Sequence, residues 1–335
     1  MAKVLTIGEA MGLLIADRPG DLAEVEQFSR HVCGAELNYA VGMARLGHDV
    51  SYISKVGGDP FGRSIRAFLK DNGIHTDYVQ TDEAHMTGFQ MKERVLEGDP
   101  AVANIRKYTA FSFMTPDDLQ GICWDGVTHL HTTGIPLALS PSCRQTVVAL
   151  MKEARRRGVS VSFDTNLRPM LWPDTETMAS VINDAAQYAD IVMPGLSEGK
   201  ILTGLDDEKA IAGYYLERGA KLVVIKLGGS SGTYVADREG GQEHEGNREH
   251  RDGMHLAPEV HGRHTNGRRE QQGRQHHLED DVRLNLNGPH LRQEPDRQAD
   301  DQQDQGDATR TLGATNWHAT MMSIPATAIR RGSTG

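Results

Sequence analysis

Between residues 115 and 236, short apolar runs alternate with longer segments whose apolar residues recur at helical spacing. The short runs predict five strands: His129–Thr132, Ser160–Phe163, Ile191–Met193, Leu222–Lys226 and Thr233–Ala236. The longer segments predict four helices: Pro141–Arg157, Thr175–Tyr188, Ser197–Leu202 and Glu208–Arg218. Strands separated by helices of this length are typical of a mainly parallel sheet with helices on both faces. The pattern therefore predicts an α/β fold.

The first part of the chain repeats this pattern and interrupts it with two hairpins. Its core elements are two predicted strands and two predicted helices: Val4–Ile7, Gly34–Gly47, Val50–Lys55 and Phe61–Asn72. One hairpin joins Gly12–Ala16 to Val25–Arg30, and the other joins Gly88–Leu96 to Ala101–Thr109. Because both hairpins are inserted between core elements, we expect them to form a small β lid from about residues 10–32 and 86–109.

The composition changes abruptly near residue 240. No Phe, Tyr or Trp occurs between Tyr234 and Trp317, and residues 241–335 are dominated by Gly, Gln, His, Arg, Asp and Glu. Such a segment cannot bury enough apolar area to offset chain entropy, so we expect a folded core at 1–240 and an irregular or disordered tail at 241–335. One hypothesis is a reading-frame shift near Gly240–Gln242. A metal-binding role for the tail's histidines is the weaker alternative, because they lack cysteine partners and a recurring spacing.

Charge and cysteine content exclude several classes of protein. The formal net charge of -10 argues against a nucleic-acid partner. The three cysteines have no paired spacing, which favours a reducing compartment over a disulfide framework or a zinc site. The first residues read as a strand rather than a signal peptide, and no apolar run is long enough to cross a membrane. We therefore expect a cytoplasmic protein without a membrane partner.

Candidate chemistry lies where predicted strands end. Asp164–Arg168 offers an acid, an amide and a guanidinium, and together with Arg106 it suits a carboxylate ligand; the alternative is a capping acid and a surface salt bridge. Lys226–Gly232 is a glycine-rich turn that suits a nucleotide, or is a plain hairpin turn. The turn at Gly34 opens a helix whose N–H groups suit a polyhydroxy or anionic ligand, or is ordinary packing. Gly195–Lys200 is too short to be a phosphate-binding Walker loop.

In this order, the motifs resemble those of the PfkB (ribokinase-like) sugar kinases, and within them the 2-keto-3-deoxygluconate kinases. The matching pieces are Thr6–Glu9, Gly34–Asn38, Ala44–Gly47, Lys55–Asp59 with Gly62, Glu97–Pro100, His131–Pro136, Phe163–Pro169, Leu171–Pro173 and Ile225–Gly228. The resemblance covers residues 1 to about 236. It implies a ribokinase-like fold, ATP and Mg²⁺ as cofactors, and phosphorylation of the terminal hydroxyl of a sugar acid. It also implies a homodimer formed through the lid strands.

The resemblance also implies a set of site residues. The sugar acid would contact Gly34, Glu36, Asn38, Arg106, Asn166 and Arg168. Two tyrosines that commonly flank the sugar appear here as Phe89 and Asn104. ATP would lie by Lys226, Gly228 and Gly232, with Glu198 supporting the metal and the phosphates, although Gly195 replaces the usual partner asparagine.

The family's catalytic motif, Asp-Thr-x-Gly-Ala-Gly-Asp, does not occur in this chain. Neither His264–Gly267 nor Asp252 with Gly253 reproduces it, so the catalytic base is unknown. The resemblance therefore implies an impaired 2-keto-3-deoxygluconate kinase. Two alternatives stay open: another PfkB sugar kinase, such as a fructokinase or ribokinase, and a non-catalytic sugar-acid binder or frameshifted inactive product.

Overall fold

The computed structural model describes residues 1–228, 232–238 and 240–244. Its strands are β1 Lys3–Ile7, β2 Met11–Ala16, β3 Phe28–Cys33, β4 Asp49–Gly57, β5 Val79–Asp82, β6 Phe89–Lys92, β7 Val102–Ile105, β8 Val127–Thr133, β9 Ser160–Asp164, β10 Ile191–Val192, β11 Leu222–Lys226, β12 Thr233–Asp237 and β13 Gly240–His244. Its α-helices are α1 Ala35–Arg45, α2 Pro60–Asp71, α3 Ile135–Leu139, α4 Pro141–Arg156, α5 Thr175–Ala186, α6 Leu196–Thr203 and α7 Glu208–Glu217.

The central sheet has nine strands in the order β13-β12-β11-β10-β9-β8-β1-β4-β5. Every neighbouring pair from β5 to β11 is parallel, and β12 pairs antiparallel with both of its neighbours, β11 and β13. Parallel strands place all their carboxyl ends at one edge of the sheet, which is where such sheets bind ligands. The prediction of a mainly parallel central sheet is confirmed.

Strand β1 shows how the alternation of side chains creates two core layers. Leu5 and Ile7 pack in a cluster with Val147 and Leu150 of α4. Val4, which directly precedes Leu5, packs instead with apolar residues of α1 and α2 such as Leu37 and Ile65. Successive side chains of a strand point to opposite faces, so a continuously apolar strand requires cover on both sides. The predicted helices on both faces are confirmed.

The two hairpins form a second sheet in the order β3-β2-β6-β7. β2 pairs antiparallel with β3, and β6 pairs antiparallel with β7, while β2 and β6 run parallel and join the hairpins. This four-stranded sheet is the predicted small β lid. Its strands span residues 11–33 and 89–105, whereas the ranges expected from the sequence are about 10–32 and 86–109.

Three short elements differ from the expectations. The second lid strand begins at Phe28 and not at Val25, because the N–H of Val25 donates to the carbonyl of Asp21 and closes a turn. β5 and α3 were not predicted: β5 is a four-residue edge strand with one buried side chain, and α3 has only five residues. Neither element is long enough for its apolar residues to show the spacing of a strand or a helix.

The sheet continues to His244 through β13, and the expectations for the remaining tail lie outside the described residues. Within the described ranges, no helix is long and apolar enough to span a bilayer.

Replacing Tyr52 by phenylalanine is expected to raise the free energy of unfolding by about 1 kcal/mol. Tyr52 is fully buried on β4, and its hydroxyl has no hydrogen-bond partner among the residues that the structure describes, so the folded state loses the hydration that the unfolded state keeps. Tyr215→Phe is the matched control, because the Tyr215 hydroxyl donates to Oδ1 of Asn183 at 3.1 Å. Urea unfolding should show opposite signs for the two variants. A loss of stability in Tyr52→Phe contradicts the expectation.

Candidate active site

Polar and charged residues collect where four parallel strands end. Glu9 follows β1, Thr133 ends β8, Asp164 ends β9 and Lys226 ends β11. All four are at most 8% exposed. Buried polar groups require partners, so the contacts of these residues define the site's architecture.

A buried ion pair links the first of these strand ends to the lid. Arg106, which follows β7, donates from Nε at 2.8 Å and from Nη2 at 2.5 Å to Oε2 of Glu9. The hydroxyl of Thr109 donates to the other carboxylate oxygen at 3.0 Å. Both carboxylate oxygens of Glu9 are therefore engaged, and Arg106 is held at the boundary between core and lid.

A second buried carboxylate, Glu36, lies in the first turn of α1. Thr133 donates to its Oε1 at 2.5 Å, and burial raises the pKa of Glu36 to about 7 even though this hydrogen bond acts in the opposite direction. Gly34 precedes the helix at φ 155°, and a Cβ there would lie 2.8 Å from the carbonyl oxygen of Glu9. A glycine is thus required where α1 begins beside Glu9.

Asn166 and Arg168 occupy the loop after β9. Asn166 has φ 38°, a left-handed conformation that asparagine tolerates, and its N–H donates to Oδ1 of Asp164 at 3.1 Å. Arg168 is half-buried and donates from Nη1 to the carbonyl of Leu167 at 2.7 Å. Burial lowers the pKa of Arg168, and the charges of Glu198, Arg106, Asp164 and Glu36 all act on it. The two predicted arginines therefore lie in one electrostatic neighbourhood.

A third group joins Asp164, Lys226 and Glu198. Nζ of Lys226 donates to Oδ1 of Asp164 at 2.8 Å and lies 3.9 Å from Oε2 of Glu198. Burial raises the pKa of Asp164 to about 6, although the Lys226 charge lowers it. The sequence left open whether Asp164 merely caps the next element; its Oδ1 accepts from Lys226 as well as from Asn166, so it does more than cap.

Glu198 ties α6 to the loop after β9. Its carboxylate accepts from the N–H of Gly195 at 2.7 Å, from the N–H of Leu167 at 2.8 Å and from the hydroxyl of Thr165 at 2.9 Å. No cluster of three or more metal-ligating side chains occurs in the part of the chain that the structure describes. The Glu198 carboxylate is the group that would support a magnesium ion here. Mg²⁺ commonly binds one or two carboxylates and takes its remaining ligands from water and phosphate oxygens.

The glycine turn after β11 begins and ends in left-handed conformations, with φ 95° at Gly228 and 81° at Gly232. The N–H of Leu227 donates to the carbonyl of Gly232 at 3.0 Å and closes the turn. Among the described residues, no atom lies within 4 Å of the position that a Cβ at Gly228 would occupy.

The lid contributes apolar and amide groups. Phe89 stacks on Phe61 with ring centroids 5.3 Å apart. Asn104 is exposed and lies 3.9 Å from the sulfur of Met170, and Asn38 is exposed in the first turn of α1. Asn38 and Asn104 are therefore less enclosed than the two arginines, whereas Phe89 is half-buried like Arg168.

Sequence analysis missed Glu9, Thr109, Thr133 and Thr165 as parts of this site. Glu9 carried a usable signal, because it is a charged residue only two positions after a buried strand. The threonines carried none, since their role depends on which carboxylate folds against them.

Two histidines lie on the sheet near the site. They are expected to lower the free energy of unfolding as the pH falls. Oγ of Ser162 is 2.8 Å from Nε2 of His129 and 2.8 Å from Nδ1 of His131. Burial lowers the pKa of His129 to about 4 and that of His131 well below its usual value. As the pH falls below about 6.5, the unfolded chain binds protons that the folded chain does not. Stability is therefore lost between pH 6.5 and about 4 at up to about 1.4 kcal/mol per pH unit per histidine.

His129→Gln should reduce this acid loss, measured as the difference in urea stability between pH 7 and pH 5. His31→Gln, at an exposed lid position, is the control and should follow the wild type. An unchanged pH dependence in His129→Gln would show that His129 is not the titrating group.

Comparison with known proteins agrees with this geometry. A family model described as "pfkB family carbohydrate kinase" matches residues 1–250. The 2-dehydro-3-deoxygluconokinase of Bacillus subtilis is 42% identical over 231 residues, which cover 69% of this chain and 71% of that protein. The crystal structure of a PfkB protein from Polaromonas sp. JS666 superposes with a TM-score of 0.71 at 42% identity, covering 74% of this chain and 83% of the other.

An uncharacterised sugar kinase from Pyrococcus horikoshii, solved in complex with ATP, is 30% identical with a TM-score of 0.63, covering 73% of this chain and 77% of the other. The resemblance inferred from the motifs is confirmed, together with the ribokinase-like fold and ATP with Mg²⁺ as the cofactors of such kinases. Since the family model covers more than half of the sequence, the chain belongs to the pfkB family of carbohydrate kinases, which are phosphotransferases.

Proposed function

We propose that this chain binds 2-keto-3-deoxygluconate and MgATP and transfers the γ-phosphoryl group to the terminal hydroxyl of the sugar acid, at a reduced rate. The observation that carries the proposal is that Arg106 and Arg168 share one neighbourhood at the ligand-binding edge of the sheet. Guanidinium groups recognise carboxylates through paired hydrogen bonds, so this edge suits an acidic sugar better than a neutral one. The name of the Bacillus subtilis relative, 2-dehydro-3-deoxygluconokinase, denotes the same substrate.

In this proposal the sugar acid lies between core and lid. Arg106 and Arg168 bind its carboxylate. Its hydroxyl and keto groups contact the remaining predicted sugar-site residues: Gly34, Glu36, Asn38 and Asn166. Phe89 covers the sugar from the lid and helps to exclude water.

The nucleotide lies at the neighbouring strand ends. Lys226 neutralises phosphate charge, while Gly228 and Gly232 let the main chain approach the phosphates. Glu198 supports the magnesium ion. When bound, magnesium neutralises charge that develops on the transferring phosphoryl group. The chain's own contribution is to hold the donor and the acceptor in line.

The reduced rate follows from the sequence. The motif that supplies the family's catalytic base is absent, and loss of a general base typically slows a reaction by about 10²–10⁴-fold. Binding of the sugar acid and of ATP does not need that base. We therefore expect both ligands to bind even though phosphoryl transfer is slow.

Isothermal titration with 2-keto-3-deoxygluconate, fructose and ATP, followed by a coupled ADP-release assay, tests the proposal. Binding of the sugar acid in preference to fructose, with slow ADP release, supports it. Preference for fructose overturns the acidic substrate in favour of a fructokinase. Binding without any ADP release supports the non-catalytic alternative, and no binding at all contradicts the proposal.

We also propose that residues after about 240 are the product of a frameshift and that the intact protein is a cytoplasmic homodimer associating through the lid strands. Sequencing the gene across codons 225 to 290 tests the first part. An alternative frame that encodes Asp-Thr-x-Gly-Ala-Gly-Asp supports it, and the absence of such a frame refutes it. Analytical ultracentrifugation tests the dimer.

A further inference from the structure

Both carboxylate oxygens of Glu9, which lies next to the lid, accept hydrogen bonds. It is 2% exposed, and it lies between β1 of the core and β2 of the lid. Its Oε2 accepts two N–H groups of Arg106, and its Oε1 accepts the hydroxyl of Thr109. A Cβ at position 88 would lie 2.7 Å from that Oε1, so Gly88 leaves the space that the carboxylate occupies. The surroundings therefore fix the carboxylate from several sides.

Arg106 has donors to spare in this arrangement. A guanidinium carries five N–H groups in a rigid plane. Two of them bind Oε2 of Glu9, and the other three have no hydrogen-bond acceptor in the part of the chain that the structure describes. Arg106 is nevertheless only 9% exposed. A buried guanidinium with three unused donors is prepared for an anionic or carbonyl ligand.

The arrangement of donors restricts how a ligand can approach. Because Nε and Nη2 face Glu9, the edge that a ligand meets carries Nη1 and the second proton of Nη2. The Arg168 charge acts in the same neighbourhood, and so does that of Glu36. A ligand carboxylate therefore meets the outer edge of Arg106 without displacing Glu9.

From this geometry we propose that Glu9 is the positioning residue for Arg106: it orients the outer edge of the guanidinium toward the carboxylate of the substrate. The inference rests on the proposed sugar-acid function. Glu9 itself touches no substrate and acts through Arg106. An alternative role, simple neutralisation of the Arg106 charge, makes the opposite prediction for the same variants.

Two substitutions separate position from charge. Glu9→Asp keeps the charge and withdraws the carboxylate by one methylene, whereas Glu9→Gln keeps the length and removes the charge. A glutamine carbonyl still accepts from Arg106, and its amide still reaches Thr109. Positioning predicts at least a tenfold loss of affinity for 2-keto-3-deoxygluconate in Glu9→Asp and a smaller loss in Glu9→Gln. Charge neutralisation alone predicts wild-type affinity in Glu9→Asp and tighter binding in Glu9→Gln.

The measurement is isothermal titration of each full-length variant with 2-keto-3-deoxygluconate, fructose and ATP. The affinities for fructose and ATP should change less than twofold, which also shows that the variants fold. Glu153→Asp is the matched control, because Glu153 lies on α4 and pairs only with Arg156 and Arg157 at the surface. Should Glu9→Asp fail to fold, Glu9→Gln decides: affinity within about fivefold of the wild type supports positioning, and tighter binding overturns it.

A double variant tests whether Glu9 acts through Arg106. Glu9→Asp combined with Arg106→Ala should bind the sugar acid no more weakly than Arg106→Ala alone. Additive losses overturn the inference, as does wild-type affinity in Glu9→Asp. A wild-type protein that binds no sugar acid overturns the proposed function and, with it, this inference. Wild-type binding combined with additive losses overturns this inference alone.

Discussion

Arg168→Ala is expected to weaken the binding of 2-keto-3-deoxygluconate by about 10- to 100-fold, while binding of fructose changes little. The range corresponds to the loss of hydrogen bonds to a charged partner, which contribute about 1.5–3 kcal/mol. Arg168 is half-buried, and its one side-chain hydrogen bond to the described residues uses Nη1. Most of its donors are therefore available to the carboxylate of a ligand.

The comparison of two ligands makes this expectation specific. Fructose lacks the carboxylate, so an effect on both ligands alike would indicate a distorted site and not a lost charge contact. Arg156→Ala is the control: Arg156 is exposed on α4, pairs with Glu153 and should leave both affinities unchanged. Calorimetric affinity for the sugar acid within threefold of the wild type would contradict a carboxylate-binding role for Arg168.

The fold was largely predictable because its signals are local. The short buried strand β1 is followed two residues later by Glu9, and β9 ends in Asp164. A helix such as α4 has a serine cap, a proline in the first turn and an apolar stripe. The antiparallel partner of each lid strand also lies nearby in sequence. The parallel edge strand β5 was missed because only one of its four side chains is buried.

The site was predictable in its location but not in its internal pairing. The ends of parallel strands must meet at one edge, so Asp164 and Lys226 could be placed together from their order in the chain. The bond between Glu9 and Arg106 spans 97 positions and joins core to lid. No local pattern specifies which carboxylate an arginine will meet across such a distance, and the sequence suggested only that Arg106 would meet a ligand.

The buried pair of Asp164 and Lys226 should have the largest effect on stability. Asp164→Asn is expected to lower the free energy of unfolding by about 3–5 kcal/mol at neutral pH, because the buried Lys226 charge loses its carboxylate partner at 2.8 Å and Glu198 at 3.9 Å compensates it less well. Asn166 keeps an acceptor in this variant, so the loss reports on the ion pair. Combining Asp164→Leu with Lys226→Met should recover part of the stability, since no buried charge then remains at either position.

Lys226→Met distinguishes this pair from ordinary packing through its pH dependence. Burial already raises the pKa of Asp164 to about 6, and the Lys226 charge lowers it, so removing Lys226 raises it further. Between the unfolded pKa of about 3.9 and that raised value, the folded variant keeps a proton that the unfolded chain releases. Its stability therefore falls as the pH rises, by up to about 1.4 kcal/mol per unit. Urea unfolding at pH 5 and pH 8 should show Lys226→Met losing more stability at pH 8. The deficit of Asp164→Asn should instead be smaller at pH 8 by about 1.4 kcal/mol, because this variant lacks the carboxyl whose raised pKa stabilises the wild type at pH 5. Equal deficits of Lys226→Met at the two pH values would mean that Asp164 carries no charge that depends on Lys226.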